Sequence, residues 1–303
     1  MSLMASISNI SRCSVHDGPG VRTVVYFKGC GLRCRWCHNP ETLSMQPDIL
    51  YAPMKCIHCG RCVTICPEHH RVMGNDMEFL REGCKRCGQC VEVCPSGALS
   101  ASGRQMSLDE VWQEIRKDVH FYRASGGGVT LSGGECLLQP EFAAALLKKC
   151  REEGIHTAVE SALFVPWENV EKAIPFCDLF LTDFKIPASD RHRRYTGQDN
   201  RLILENLQRL AQEAEGRVLV RIPLIPRVND SEADMRAFAE KIYPFRGKIQ
   251  GVELLKYNSL AESKYRLAGM EYERFGDGPQ TDEYVKGLCM ALSQALDGAD
   301  VHF

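Results

Sequence analysis

The chain has 303 residues, 44% of them apolar and 25% charged, with a formal net charge of -2 at neutral pH. That is the balance of an ordinary water-soluble globular protein, long enough for one large α/β domain and a small one. It gives no sign of nucleic-acid or membrane binding, and no apolar run approaches the roughly 18 residues that span a bilayer. The opening MSLMASISN has neither the basic region nor the apolar core of a signal peptide, so a cytoplasmic location is expected.

In chain order, the first predicted strand is 22–28, RTVVYFK. A loop with three cysteines follows at once, Cys30, Cys34 and Cys37, spaced C-x3-C-x2-C. A tetrahedral metal site or a cubane cluster takes four ligands, so three protein thiolates leave one metal position open. An open position is what separates a catalytic metal site from a structural one. Sixteen cysteines in a large chain with no signal peptide point to metal rather than disulfides. Eleven of them lie between Cys30 and Cys94; the scattered Cys13, Cys136, Cys150, Cys177 and Cys289 read as small buried apolar residues.

Residues 56–67, CIHCGRCVTICP, recur 28 positions later as CKRCGQCVEVCP. The repeat marks a duplicated unit over 50–100. Each copy is C-x2-C-x2-C-x3-C-P and resembles the run of bacterial ferredoxins, in which three thiolates wrap one cubane and the fourth reaches the other. The resemblance implies one [4Fe–4S] cluster on Cys56, Cys59, Cys62 and Cys94, and a second on Cys84, Cys87, Cys90 and Cys66. The alternative is a pair of structural zinc sites, although zinc usually joins two C-x2-C knuckles across a longer gap. The PEHHR run (67–71) inside this unit reads as a solvated loop.

Beyond the insert, helical patterns at 107–120, 140–153, 166–174, 200–215, 231–243 and 281–296 alternate with strand patterns at 128–132, 155–161, 178–184, 217–225 and 251–257. Ser107 and Glu110 form a capping box at the start of the first helix. Strands alternating with helices predict parallel strands joined by right-handed crossovers. Six such units predict an open partial (β/α)6 TIM-like barrel made of 1–49 and 101–303, with a doubly wound sheet as the other possibility. In a barrel the chemistry gathers at the C-terminal ends of the strands. There lie the cysteine loop, SGGE (132–135), Glu160, Asp183 and Lys185, while Arg221 lies within its strand. In SGGE, two glycines let backbone approach a ligand closely, and Glu135 could take a substrate ammonium. Cys136 reads as packing, and RHRRY (191–195) as a solvated basic face.

The three-cysteine motif with Trp36, followed by GGE at the next strand end, resembles the radical S-adenosylmethionine superfamily. HDGPGVRTVVYFKGCGLRCRWCHNPE (16–41), SGGGVTLSGGE (125–135), DFK (183–185) and RIPLIP (221–226) look like the glycyl-radical-enzyme activating enzymes. The insert resembles that of the subgroup serving choline, glycerol and related lyases and dehydratases. The resemblance implies that Cys30, Cys34 and Cys37 hold a third [4Fe–4S] cluster, whose open iron is chelated by S-adenosylmethionine. Gly133, Gly134 and Glu135 would hold the methionyl ammonium. Lys185 and Arg221 would lie near its carboxylate and ribose, and His38 and Asn39 would make further cofactor contacts. Glu160 and Asp183 would correspond to a monovalent-cation site, and Asp17 would meet the glycyl loop of a partner enzyme. A flavodoxin or ferredoxin-type reductant would supply electrons. The sequence departs from the family at Asn258, where a histidine is common, and at Glu160, where aspartate is common. The competing readings are a radical enzyme acting on a small molecule or peptide, and a ferredoxin-like electron carrier. Three cubanes predict about 12 iron per chain, and Cys30→Ala is expected to remove roughly a third of it on iron assay.

Overall fold

The structure is a computed structural model and describes residues 3–73 and 76–303. In chain order, β1 (Met4–Ser14) and β2 (Arg22–Phe27) precede the cysteine loop. β3 (Asp48–Tyr51), α1 (Arg61–Ile65), β4 (His70–Met73), β5 (Asp76–Phe79), α2 (Gln89–Glu92) and β6 (Leu99–Ser102) make the insert. The chain then runs through β7 (Arg104–Ser107), α3 (Leu108–Ile115), α4 (Val119–Ser125), β8 (Gly128–Gly133), α5 (Pro140–Glu152), β9 (His156–Ser161), α6 (Trp167–Ala173) and β10 (Leu179–Asp183). Last come α7 (Ser189–Thr196), α8 (Arg201–Glu213), β11 (Val218–Pro223), α9 (Glu232–Ile242), β12 (Gly251–Leu255), α10 (Glu262–Ala268), α11 (Asp282–Ala295) and β13 (Val301–His302). Among the described residues, no helix is long and apolar enough to cross a membrane.

The large sheet runs β13-β12-β11-β10-β9-β8-β2-β1-β7. From β2 to β13 every neighbouring pair is parallel and follows chain order, so the sheet never reverses about a switch point as a doubly wound sheet does. This is the strand order of a barrel left open, with β1 and β7 added antiparallel at one edge. All six expected parallel strands are present within two residues of the predicted bounds. The pattern missed β1 and β7, which pair antiparallel outside the strand–helix alternation, and β13, which follows α11 but has only two residues.

Period-2 alternation divides the strands between two environments. Val25, Phe27, Val129, Leu131, Val159, Phe180, Val220 and Val252 face the helices and join one core with Val111, Phe142, Leu146, Leu207, Leu210, Phe238, Leu288 and Leu292. Their neighbours on each strand, Thr130, Ala158, Leu181, Leu219 and Arg221, turn to the opposite, inner face. Position in the strand therefore decides that Ser132, Glu160, Asp183, Arg221 and Glu253 share one interior.

The insert repeats itself in backbone as well as sequence. His58 and Arg86 take φ of 53° and 54°, and Gly60 and Gly88 take 73° and 81°, just before α1 and α2. Its small core comprises Ile49, Cys62, Met77, Cys90 and Leu99. β3 pairs with β6 where the chain leaves and returns, Asp48 opposite Ser102. Three bland sequence readings need correction. His70 is buried and stacked on Phe79 at 4.9 Å rather than solvated, because β4 pairs with β5 and turns it inward. RHRRY lies on α7 with His192 and Thr196 buried; only Arg193 and Arg194 of it are fully exposed. Cys13 is exposed at φ 60°, unlike the four buried scattered cysteines.

Asp118 closes the β1–β2 end of the sheet. Fully buried, it accepts from Arg12 Nε (2.8 Å) and Thr23 Oγ1 (2.8 Å), and Arg12 and Thr23 hold its carboxyl below the usual range. A depressed folded-state pKa contributes stability above the ordinary carboxylate range and loses it as pH falls through the folded value. Asp118→Asn is expected to cost about 2 kcal/mol at pH 7, moderated by the partly exposed Arg12, with the gap closing on acidification in denaturant titrations.

Candidate active site

The strand ends enclose a cavity of about 860 Å³. The cysteine loop forms one wall, and two sets of contacts hold it. At its root, Gly29 and Cys30 donate their N–H to Thr42 O and Leu43 O, closing the loop on itself. Further along, Arg33 and Arg35 donate to Thr196 O (2.7 Å) and Tyr195 O (3.0 Å) at the end of α7. Trp36, buried between Cys34 and Cys37, packs edge-on against Phe275 (5.9 Å) and tilted against Tyr195 (6.1 Å). This aromatic seat is why α7, which looked like a solvated basic segment, matters to the site.

All three thiols line the cavity. Burial pushes the Cys34 thiol up to about 12 and Cys37 to about 11, and also raises Cys30. Thiolates here need positive charge beside them. Lys185 supplies one: burial opposes its ammonium, but Asp183 and the Cys34 thiolate outweigh that and raise its pKa. Lys185 Nζ donates to Asp183 Oδ2 at 2.7 Å, leaving the buried Asp183 Oδ1 without a hydrogen bond. Among the described residues, no three His, Cys, Asp or Glu side chains converge closely enough to hold a single metal ion. The cysteines ring a wide cavity instead. Such a donor set fits a sulfur-loving, positively charged, polynuclear group better than a lone ion.

Gly133 and Gly134 also line the cavity, as bare backbone. A Cβ on Gly133 (φ +113°) would stand 2.4 Å from Phe27 N and O, and one on Gly134 would stand 2.3 Å from Gly29 O. The glycines are needed because β8 ends against the root of the cysteine loop, with Gly134 N–H donating to Phe27 O and Glu135 N–H to Gly29 O. Glu135 follows Gly134 and is held by the end of the next strand. It is 2% exposed, and it accepts from Ser161 Oγ (2.9 Å to each oxygen), Leu137 N–H and Ala162 N–H. Burial raises its carboxyl to about 7 against those hydrogen bonds.

Inside the barrel, Arg221 lies between Glu160 Oε1 (3.1 Å) and Glu253 Oε2 (2.9 Å). Glu160 also accepts from Ser132 Oγ. The two carboxylates expected to hold a cation, Glu160 and Asp183, are thus already matched by Arg221 and Lys185. Glu253, the second partner of Arg221, was missed in the sequence; its place opposite Arg221 in the β11–β12 register could have found it. His38 and Asn39 line the cavity. Burial, with Lys185 nearby, lowers the His38 pKa, and Asn39 Oδ1 accepts from Lys264 Nζ at 2.6 Å. Asp17 reaches the cavity from the β1–β2 loop, held by Ser14 Oγ and by Thr130 Oγ1 donating to its carbonyl (2.7 Å). Tyr26, Tyr257 and Asn258 complete the wall.

In the insert, Cys56, Cys59, Cys62 and Cys94 line one separate cavity of about 300 Å³. Burial raises the Cys90 thiol to about 11, and the nearby thiolates that add to the rise are Cys84, Cys66 and Cys87. Cys94 thus stands with the first three cysteines of the repeat, and Cys66 near Cys90.

Residues 24–239 match the model of the Radical SAM superfamily. The chain is 44% identical over 284 residues to the choline trimethylamine-lyase activating enzyme of Oleidesulfovibrio alaskensis, covering 92% of this chain and 91% of that protein. The chain is a radical SAM activating enzyme. The activase is also 42% identical to the (2S)-3-sulfopropanediol dehydratase activating enzyme of Klebsiella oxytoca, over 88% of this chain and 86% of the relative. In fold it resembles a radical SAM methyltransferase from Sphaerobacter thermophilus, with a TM-score of 0.55 at 14% identity over 100% of this chain and 78% of that one. Glu135→Ala in the activase strands three buried donors and is expected to cost about 3 kcal/mol, read as a fall in thermal midpoint of the iron-free protein.

Proposed function

We propose that this activase serves a glycyl radical enzyme of the lyase or dehydratase type, abstracting hydrogen from one glycine Cα of that partner. Cys30, Cys34 and Cys37 would hold a [4Fe–4S] cluster, and S-adenosylmethionine would occupy the cavity between that loop and the strand ends. When bound, the cluster supplies the electron that cleaves the sulfonium C–S bond, releasing the 5′-deoxyadenosyl radical that takes the hydrogen atom. The remaining work is binding, orientation and exclusion of water, and it belongs to the chain's own residues.

Lys185 fixes a positive charge beside Cys30 and Cys34 and could meet a carboxylate on its open side. Gly133 and Gly134 present backbone where an ammonium would seek carbonyl oxygen, and Glu135 holds that backbone from behind. Arg221, clamped by Glu160 and Glu253, keeps its guanidinium in one place with little rotamer freedom left to lose. His38 and Asn39 complete the cofactor wall, and Asp17 on the β1–β2 loop is our choice for the contact with the partner's glycine-bearing loop. A sheet open at both edges suits a substrate that is itself a polypeptide.

The insert, 50–100, we read as a two-cluster ferredoxin-like domain on a barrel made of 1–49 and 101–303, with three clusters in all. The grouping of Cys94 with Cys56, Cys59 and Cys62, and of Cys66 with Cys84, Cys87 and Cys90, supports that reading. A flavodoxin or ferredoxin-type donor would feed it. Sixteen unpaired cysteines suit a reducing compartment, and the cytoplasm is the proposed location.

The observation that carries the proposal is the convergence of Cys30, Cys34, Cys37, Lys185 and Arg221 on one cavity. Anaerobically reconstituted and reduced with dithionite, the protein is expected to convert S-adenosylmethionine to 5′-deoxyadenosine. Cys30→Ala should abolish the product, and incubation with the partner should produce an organic radical by EPR. A fully iron-loaded protein that yields no 5′-deoxyadenosine would overturn the reading.

A further inference from the structure

The two copies of the cysteine repeat have alike backbones and unlike surroundings. The second copy is fastened to the barrel side. Arg81 donates to Ile49 O (2.5 Å) and to Leu267 O (2.7 Å) on α10, and Arg86 Nε lies 3.2 Å from Asp48 Oδ1. Asp48 stands opposite Ser102 in the β3–β6 pair, and Ser102 O accepts from the buried Lys28 Nζ at 3.0 Å. Lys28 also donates to Glu41 O at 2.8 Å, at the end of the catalytic cysteine loop. A short continuous path of contacts thus joins Cys84 and Cys87 to the loop of Cys30.

The first copy faces away. Among the described residues, the hydrogen bonds of 53–66 run only within the insert. This copy exposes Met54 (98%) and Ile57 (62%), and Val72 (62%) stands across the same thiol-lined cavity. Single exposed apolar residues are ordinary, but Ile57 and Val72 at one opening, with Met54 three residues from Ile57 in the chain, make a patch. Lys55, His58 and Arg61 are exposed among them. Among the described residues, no ion pair involves these three, and no Asp or Glu occurs from 53 to 66. The second copy, by contrast, mixes Arg81, Lys85 and Arg86 with Glu82 and Glu92.

We propose that the face built on Met54, Lys55, Ile57 and Arg61 docks an acidic protein that carries single electrons. This rests on the reading of the two quartets as cluster sites. The carrier is oxidised by one electron at the Cys56, Cys59, Cys62 and Cys94 site, and the group there is reduced by one. The electron leaves through the Cys66, Cys84, Cys87 and Cys90 site toward the barrel, with no atom transferred. Unpaired cations around a small apolar patch favour fast, salt-sensitive and short-lived encounters, which suits electron delivery better than a lasting complex.

The test is anaerobic stopped-flow reduction of the iron-loaded protein, with flavodoxin hydroquinone as the acidic probe and dithionite as the small one. In Lys55→Glu/Arg61→Glu, the bimolecular rate with flavodoxin is expected to fall about tenfold or more at low salt, while the rate with dithionite, a small anion, falls far less and the iron content stays unchanged. In the unaltered protein, raising the salt should slow flavodoxin far more than dithionite, a result that stands even if the double variant loads poorly. An unchanged flavodoxin rate in the loaded double variant overturns the proposal, as does a larger loss in Lys85→Glu. Iron sufficient for one cluster only, about 4 per chain, would instead defeat the underlying reading of the insert.

Discussion

The site depends first on how closely the end of β8 approaches the end of β2. Gly133 and Gly134 lie so near Phe27 and Gly29 that any side chain would strike backbone. Two N–H groups from this stretch donate to the carbonyls of Phe27 and Gly29, so the cysteine loop starts from a fixed point. Glu135 then turns inward and carries the connection to β9 through Ser161 and Ala162. Three strand ends are thus tied in one step, and the positions of the rim groups follow from that tie.

A second constraint lies below the rim. Charges buried inside a barrel are costly unless each finds a partner, and alternation along the strands sends several of them inward together. Arg221 answers Glu160 and Glu253, while Lys185 answers Asp183. The arrangement leaves polar groups that are fixed in place and nearly neutral in sum. It also stiffens the wall, because a shift in one strand would unpair a buried charge in the next.

The six parallel strands from β2 to β12 and the longer helices between them were legible from periodicity, because the strands are largely buried on both faces and the helices are amphipathic. The cysteine repeat was legible from spacing, since it keeps both interval and context. Edge strands were not legible: β13 has two residues, and β1 pairs through irregular register with no helical crossover to mark it. The roles of Glu135 and His70 were also hidden. A carboxylate after two glycines reads as a ligand, and its tie to Ser161 and Ala162 shows only once the neighbouring strand is in place. His70 beside His69 reads as a polar loop until β4 and β5 pair and stack it on Phe79. α7 shows the same limit, because its purpose is visible only from Trp36.

The roots of the insert touch. β3 leaves and β6 returns as paired strands, and the buried ammonium of Lys28 grips Glu41 and Ser102 on the two sides of the excursion. To the barrel, everything beyond that junction is a loop of nearly zero span, whatever its contents. Its length can therefore change without pulling on the strands. One barrel could carry a long appendage, a short one or a plain turn, and the economy of the fold is that its rim need not be rebuilt for any of them.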